Sequence, residues 1–190
     1  MKIYWWKSKN GNFGDDISPI IMGHFLKGQE IEYANRDEKG KILGIGSIMA
    51  SLQDGDKVWG TGSNQPHSIY KAKNTRIYAT RGPRTREQIT GIGKKEVIYG
   101  DPGILLPLVY NPKVKKEHEV GIIPHYIDKD CWREKHFWTF EDPESTYIDI
   151  QAPWKEVIKQ VKSCKMIIRA LQHNGQVVNG CIIISNPFPE

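Results

Sequence analysis

The chain has 190 residues, with 27 lysines and arginines against 22 aspartates and glutamates, a net charge of +5 and an isoelectric point near 9. Hydrophobic residues make up 38% and charged residues 26%, the balance of an ordinary soluble globular protein long enough for one sizeable core or two small ones. No apolar run approaches the roughly 20 residues that span a bilayer, the first residues lack a signal-peptide pattern, and the acids are too interspersed with the bases to leave a nucleic-acid stripe.

The three cysteines, Cys131, Cys164 and Cys181, have no metal-ligand spacing, and their odd number argues against a disulfide framework. A reducing, cytoplasmic setting is expected. The positive balance suits a phosphorylated small molecule or an anionic lipid-linked sugar equally well.

In chain order, "KIYWW" (2–6) reads as a strand and "DISPIIMGHFL" (16–26) has apolar residues at helical spacing. Between them, Asn12-Phe13-Gly14 reads as a turn, and Asp15 or Asp16 caps a helix that Pro19 begins. "EIEYA" (30–34) is a second strand, and "KILGIGSIMASL" (41–52) is a strand, a glycine break and a short helix. "DKVWGTGS" (56–63) and "TRIYATRG" (75–82) are strands ending in glycines. "PRTREQITGIG" (83–93) reads as a helix with Pro83 in its first turn, and "EVIYGDPGILLP" (96–107) as strand, tight turn and apolar segment. Strands alternating with helices indicate an α/β fold with a doubly wound, Rossmann-like parallel sheet.

The predicted first domain covers residues 1–112, and the basic run "KVKKEH" (113–118) is a solvated linker. A partial second α/β domain fills 119–190: "EVGIIPH" and "YIDI" as strands, "PWKEVIKQVKSC" as a helix opened by Pro153, and "KMIIR" as a strand. After it, "ALQHNGQVVNGCIIISNPFPE" offers one short strand candidate. So few elements hardly bury a core alone.

The polar residues collect at the carboxyl ends of predicted parallel strands: Gly11–Asp16, Gly44–Ser47, Gly60–Asn64, Arg81–Thr85 and Gly100–Gly103. Loops and helix N-termini converge there, and ligands bind in that crevice. "WGTGSN" offers Gly60 and Gly62 for close approach to an anion and Thr61 and Ser63 as hydroxyl donors, without the spacing of a dinucleotide site or the lysine of a P-loop. Arg81, beside a helix N-terminus, suits the paired oxygens of a carboxylate or phosphate. Asp101 reads as an Asx-turn or helix cap. His125 and His173 each follow a strand and are acid–base candidates.

Together "NFGDDISPII", "ILGIGSI", "VWGTGS", "ATRGPRTREQI", "VIYGDPGILLP" and "VGIIPHYID" resemble the polysaccharide pyruvyl transferase family, in order and at the expected spacing, over about residues 1–168. The resemblance implies a glycosyltransferase-B-like two-domain plan. It also implies transfer of the enolpyruvyl unit of phosphoenolpyruvate onto a lipid-linked or polymeric sugar, giving a pyruvate ketal and phosphate. That chemistry calls for arginines on the carboxylate and phosphate, a general acid and a general base, and needs no cofactor or metal. Asn12, Gly14, Asp15 and Asp16 are then placed at the site, one acid facing the acceptor sugar, and Arg81 matches the family's phosphoenolpyruvate-binding arginine. Peripheral membrane contact and a homodimer are compatible with this reading; a nucleic-acid partner is not expected.

The departure comes at "RALQHNG" (169–175), where the family has Ser-Ser-Leu-His-Gly or Arg-Leu-His-Gly, whose histidine acts as the acid. Arg169 and His173 are the displaced counterparts, and a reading-frame shift near residue 169 is one explanation. Two other readings stay open: a sugar-nucleotide glycosyltransferase and a non-catalytic glycan- or anion-binding remnant.

Overall fold

The structure, a computed structural model, describes residues 1–71, 73–91, 96–124, 144–173 and 176–185, excluding the side chains of 170–173 and 176–185. Two compact units divide it: Met1–Lys9 with Gly14–Val109, and Asn10–Phe13 with Tyr110–Glu190.

The first unit comprises β1 (Lys2–Tyr4), α1 (Phe13–Phe25) apart from its first residue, β2 (Glu32–Tyr33), β3 (Ile42–Leu43), β4 (Lys57–Trp59), β5 (Tyr70–Lys71), β6 (Arg76–Thr80), α2 (Pro83–Glu87), β7 (Ile89–Thr90), β8 (Ile98–Tyr99) and α3 (Leu106–Val109). Six strands form a parallel sheet in the order β2-β1-β3-β4-β6-β8. From β1 the chain steps outward to β2 on one side and to β3 on the other. The order reverses between β1 and β3, which makes the carboxyl ends of those strands the place where loops part and leave a crevice.

Successive side chains on a strand point to opposite faces, so strands covered on both sides read as continuous apolar runs. Ile3 joins Met22 of α1 and Ile42 on one face, whereas Tyr4, Leu43 and Val58 join Ala34, Ile48, Met49 and Ile89 on the other. Each fully buried aliphatic side chain here contributes about 1.5–3 kcal/mol. The mixed α/β architecture with its mostly parallel sheet is consistent with a Rossmann-like fold.

Local differences from the sequence reading have identifiable causes. Helix α1 starts at Phe13, so Asp15 and Asp16 lie in its first turn and Pro19 lies inside it. Proline has no N–H to give the Asp15 carbonyl four residues back, and its ring crowds that carbonyl. Helix α2 ends at Glu87 because the chain turns into β7, which pairs in parallel with β5 as a separate two-stranded ladder. Two-residue strands leave no periodic signal.

The second unit contains β9 (His118–Ile123), β10 (Ser145–Tyr147), α4 (Trp154–Ser163), β11 (Cys164–His173) and β12 (Gln176–Ser185), the sheet order being β10-β9-β11-β12. The first three strands are parallel, and β12 runs antiparallel to β11. Val157 and Val161 of α4 pack with Ile123, Ile148, Cys164 and Ile167. Where the sequence reading stops β11 at Arg169 and allows one short strand after it, the structure has a ten-residue hairpin partner. The sequence carries two Asn-Gly dipeptides here, 174–175 and 179–180, a type that favours hairpin turns, and the second lies inside β12. Arg169, the last residue of the strand read from the sequence, and His173, read as following it, both lie within β11.

Candidate functional site

At the carboxyl edge of the first unit's sheet, the loops after β3, β4 and β6 are laced together by short hydrogen bonds. The Gly62 amide donates to the Gly46 carbonyl at 3.0 Å, the Met49 amide to the Gly62 carbonyl at 3.1 Å, and the Arg81 amide to the Thr61 carbonyl at 3.1 Å. Thr61 is wholly buried; its hydroxyl donates to the Gly46 carbonyl at 2.8 Å and accepts from the Ile48 amide at 3.3 Å. It is a strut between two loops, with its proton committed inside the protein. A satisfied buried network of this kind rigidifies the floor of the crevice.

Two charged side chains rest on that floor, each in the space that a missing Cβ would fill. A Cβ on Gly46 would come 2.8 Å from Asp15 Oδ1, and Gly46 has a φ of +104°, a conformation that favours glycine. A Cβ on Gly62 would overlap the Arg81 guanidinium, which lies flat over that glycine and donates from Nη2 to Ser47 Oγ at 2.9 Å. Because Gly46 and Gly62 are hydrogen-bonded neighbours, an acid from the start of α1 and an arginine from the end of β6 are carried on adjacent positions. Asp16 accompanies Asp15 in the first turn, where negative charge complements the helix dipole. On the same helix, Ser18 is fully buried, its Oγ 3.2 Å from the Cβ position of Gly44 and without a hydrogen-bond partner among the described residues.

The other sequence-predicted residues are placed as follows. Gly60, with φ +94°, serves packing: a Cβ there would overlap the Pro102 ring and come 2.8 Å from the Gly100 carbonyl oxygen. Asp101 caps the single turn Pro102–Leu105, accepting from the Gly103 amide at 2.9 Å. Gly14 lies in the first turn of α1, and Asn12 belongs to the second unit, in which the neighbouring Phe13 amide donates to the Ile150 carbonyl at 2.9 Å. Also in that unit, Arg169 is exposed and sits opposite Ile123 and Ile182, and His173 pairs with Gln176 across the hairpin. The side chain of His173 and all of His125 lie outside the described residues.

Two features were not read from the sequence. In the sequence Ser47 reads only as part of a glycine loop, its partner Arg81 being 34 positions away. Lys41 and Asp56 form an ion pair at the amino ends of β3 and β4, both wholly buried, with Nζ 2.7 Å from Oδ2. Lys41 Nζ also donates to the Glu38 carbonyl at 2.7 Å, and the Asp56 carboxylate accepts from the amides of Lys41 at 3.0 Å and Gln53 at 2.8 Å. Its place at the opposite end of the strands makes it a structural clamp. Among the described residues no three His, Cys, Asp or Glu side chains gather as a metal-binding group, and no helix is long and apolar enough to cross a membrane.

No family model matches the chain, and no solved structure matches it. It is similar to uncharacterized protein L143 of Acanthamoeba polyphaga mimivirus, 34% identical over 135 residues, or 68% of this chain and 46% of that protein. It is also similar to succinoglycan biosynthesis protein ExoV of Rhizobium meliloti (strain 1021), 23% identical over 184 residues, or 92% of this chain and 55% of that protein. The chain thus spans about half the length of the curated relatives it matches.

Proposed function

We propose that the protein is a pyruvyl transferase homologue that moves the enolpyruvyl group of phosphoenolpyruvate onto a sugar of an exopolysaccharide or cell-surface glycan. The observation that carries the reading is the Asp15–Gly46 and Arg81–Gly62 pair at the switch point of a parallel sheet. The similarity to a succinoglycan biosynthesis protein supports a glycan-modifying role.

In this reading Arg81 takes the carboxylate or phosphate of the donor through paired, charge-assisted hydrogen bonds. The acid gives a proton to the methylene carbon, a first sugar hydroxyl adds to C2 and its proton passes to the base, giving a phospho-ketal. A second sugar hydroxyl then displaces phosphate at C2; its proton passes to a base, and the C–O bond to phosphate breaks. Asp15 is the base, facing the acceptor, and His173 the acid. Thr61, Gly60 and Gly62 act by fixing the loops on which Arg81 rests.

The reading is tested by calorimetric titration with phosphoenolpyruvate and, separately, with uridine diphosphate sugars. Binding of phosphoenolpyruvate that Arg81→Ala abolishes is expected. Binding of the nucleotide sugar alone would transfer the crevice to the glycosyltransferase reading.

A further inference from the structure

Of the three aromatic residues at the start of the chain, Tyr4 belongs to the core and Trp6 does not. Trp5 packs against the cluster of Ile3, Met22 and Ile42, but its neighbour Trp6 is 51% exposed. Beside them Tyr33, at the carboxyl end of β2, is 38% exposed, and its ring meets Trp5 edge-on with centroids 4.8 Å apart. Lys7 Nζ lies 3.6 Å from the Tyr33 ring centroid and 5.0 Å from that of Trp5. Two aromatic faces therefore hold one ammonium in place at an exposed site, an arrangement that orients the cation before any ligand arrives.

Its position in the fold gives the cluster a meaning. Trp5, Trp6 and Lys7 directly follow the carboxyl end of β1, the strand that flanks the switch point. Along the carboxyl edge of the sheet the order is Tyr33 at the end of β2, Trp6 and Lys7 after β1, Gly46 after β3, Gly62 after β4 and Arg81 after β6. Adjacent strands are spaced about 4.8 Å apart. The aromatic and cationic group thus stands on one side of Asp15 and Gly46, and the guanidinium on the other.

We propose that Trp6 and Lys7 form a saccharide subsite, the acceptor side of the same crevice; this rests on the donor assignment to Arg81 made above. A sugar ring has a face of C–H bonds that packs on an indole and a rim of oxygens that accept from an ammonium. Trp6 supplies the first and Lys7 the second, with Trp5 and Tyr33 as positioning residues for Lys7. A fixed ammonium favours sugars with carboxylate or phosphate substituents over neutral ones.

The test titrates oligosaccharides that carry a carboxylate or phosphate substituent, and their neutral counterparts, into wild-type protein and into Trp6→Ala, Lys7→Ala and Leu108→Ala. Leu108 is an exposed apolar residue of α3, 66% accessible, and controls for non-specific contact. Trp6→Ala is expected to weaken oligosaccharide binding at least tenfold, Lys7→Ala to weaken the acidic form more than the neutral one, and Leu108→Ala to change nothing. Phosphoenolpyruvate affinity, measured in parallel, is expected to stay within twofold in all three. A wild-type protein that binds no oligosaccharide, or binds it equally well in Trp6→Ala and Lys7→Ala, overturns the proposal. Loss of saccharide binding in Trp6→Ala by a protein that never binds phosphoenolpyruvate keeps the subsite and overturns the donor reading instead.

Discussion

Gly62→Ala separates the function of Arg81 from its contribution to the fold. The added Cβ would overlap Nε, Cζ and Nη2 of Arg81, all at the far end of a flexible side chain, so the guanidinium lifts and its bond to Ser47 is lost. One such hydrogen bond contributes about 0.5–1.5 kcal/mol, and replacing glycine by alanine returns about 0.4–1 kcal/mol by restricting the unfolded chain. The net stability change is therefore within about 1 kcal/mol. Binding suffers more: a hydrogen bond to a charged group contributes about 1.5–3 kcal/mol, so affinity for phosphoenolpyruvate is expected to fall about 10- to 100-fold. Gly60→Ala is the contrast. There the φ of +94° and the overlap with the Pro102 ring strike backbone and a rigid ring, so stability falls by about 1–3 kcal/mol. Urea midpoints and calorimetric titrations of the two variants decide the matter. A Gly62→Ala protein as destabilised as Gly60→Ala, or one binding phosphoenolpyruvate like the wild type, would refute the reasoning.

Removing one member of the buried Lys41–Asp56 pair leaves a charge without its counter-charge, at about 3–5 kcal/mol. Asp56→Ala also strips partners from the amides of Lys41 and Gln53, whereas Lys41→Met leaves Asp56 with both. Asp56→Ala is thus expected to lower the urea midpoint further than Lys41→Met, and the reverse order would contradict the clamp. Burial pushes the Cys164 thiol up, outweighing the lowering effects of Ser163 and Lys116. Because the folded value lies above the unfolded one, this contribution is fully present below the ordinary thiol range near 8.5 and is lost as pH rises from there through the raised folded value. In a Cys131→Ser, Cys181→Ser background, Cys164→Ala should therefore flatten the alkaline fall in urea midpoint, and an unchanged slope would count against the burial. Gly121→Ala would place a Cβ 2.7 Å from Cys164 Sγ and 2.8 Å from the Cδ1 atoms of Ile148 and Ile167. Overpacking of this core should reduce stability by about 1–3 kcal/mol, measured by the same titration.

The parallel sheet was legible because its strands are short apolar runs ended by glycine, such as "KILG" and "KVWG", with polar loops at one end. Arg81 is legible for the same reason, standing just past β6, and Asp15 is legible as an acid at the start of the first helix. The glycines that carry them were not assigned to them, because Gly46 meets Asp15, and Gly62 meets Arg81, only when separate βα loops are laced together. Likewise Lys41 and Asp56 look like ordinary surface charges until β3 and β4 pair and bring their preceding residues face to face. The start of α1 was displaced by reading Pro19 as a first-turn proline, a local preference that the packing of Ile17, Ile21 and Met22 overrides. In the second unit the sequence reading ends the strand at Arg169, whereas the pairing of β11 with β9 and with β12 carries it on to His173.

The central claim, enolpyruvyl transfer at the Asp15–Arg81 crevice, is tested most directly by incubating the protein with phosphoenolpyruvate carbon-13-labelled at C2 and succinoglycan oligosaccharides. Carbon NMR and released phosphate are followed together. The account predicts a ketal carbon resonance growing in step with phosphate, and neither in Arg81→Ala. Phosphate accompanied by free pyruvate alone, or phosphoenolpyruvate left intact while a nucleotide sugar is consumed, would contradict it.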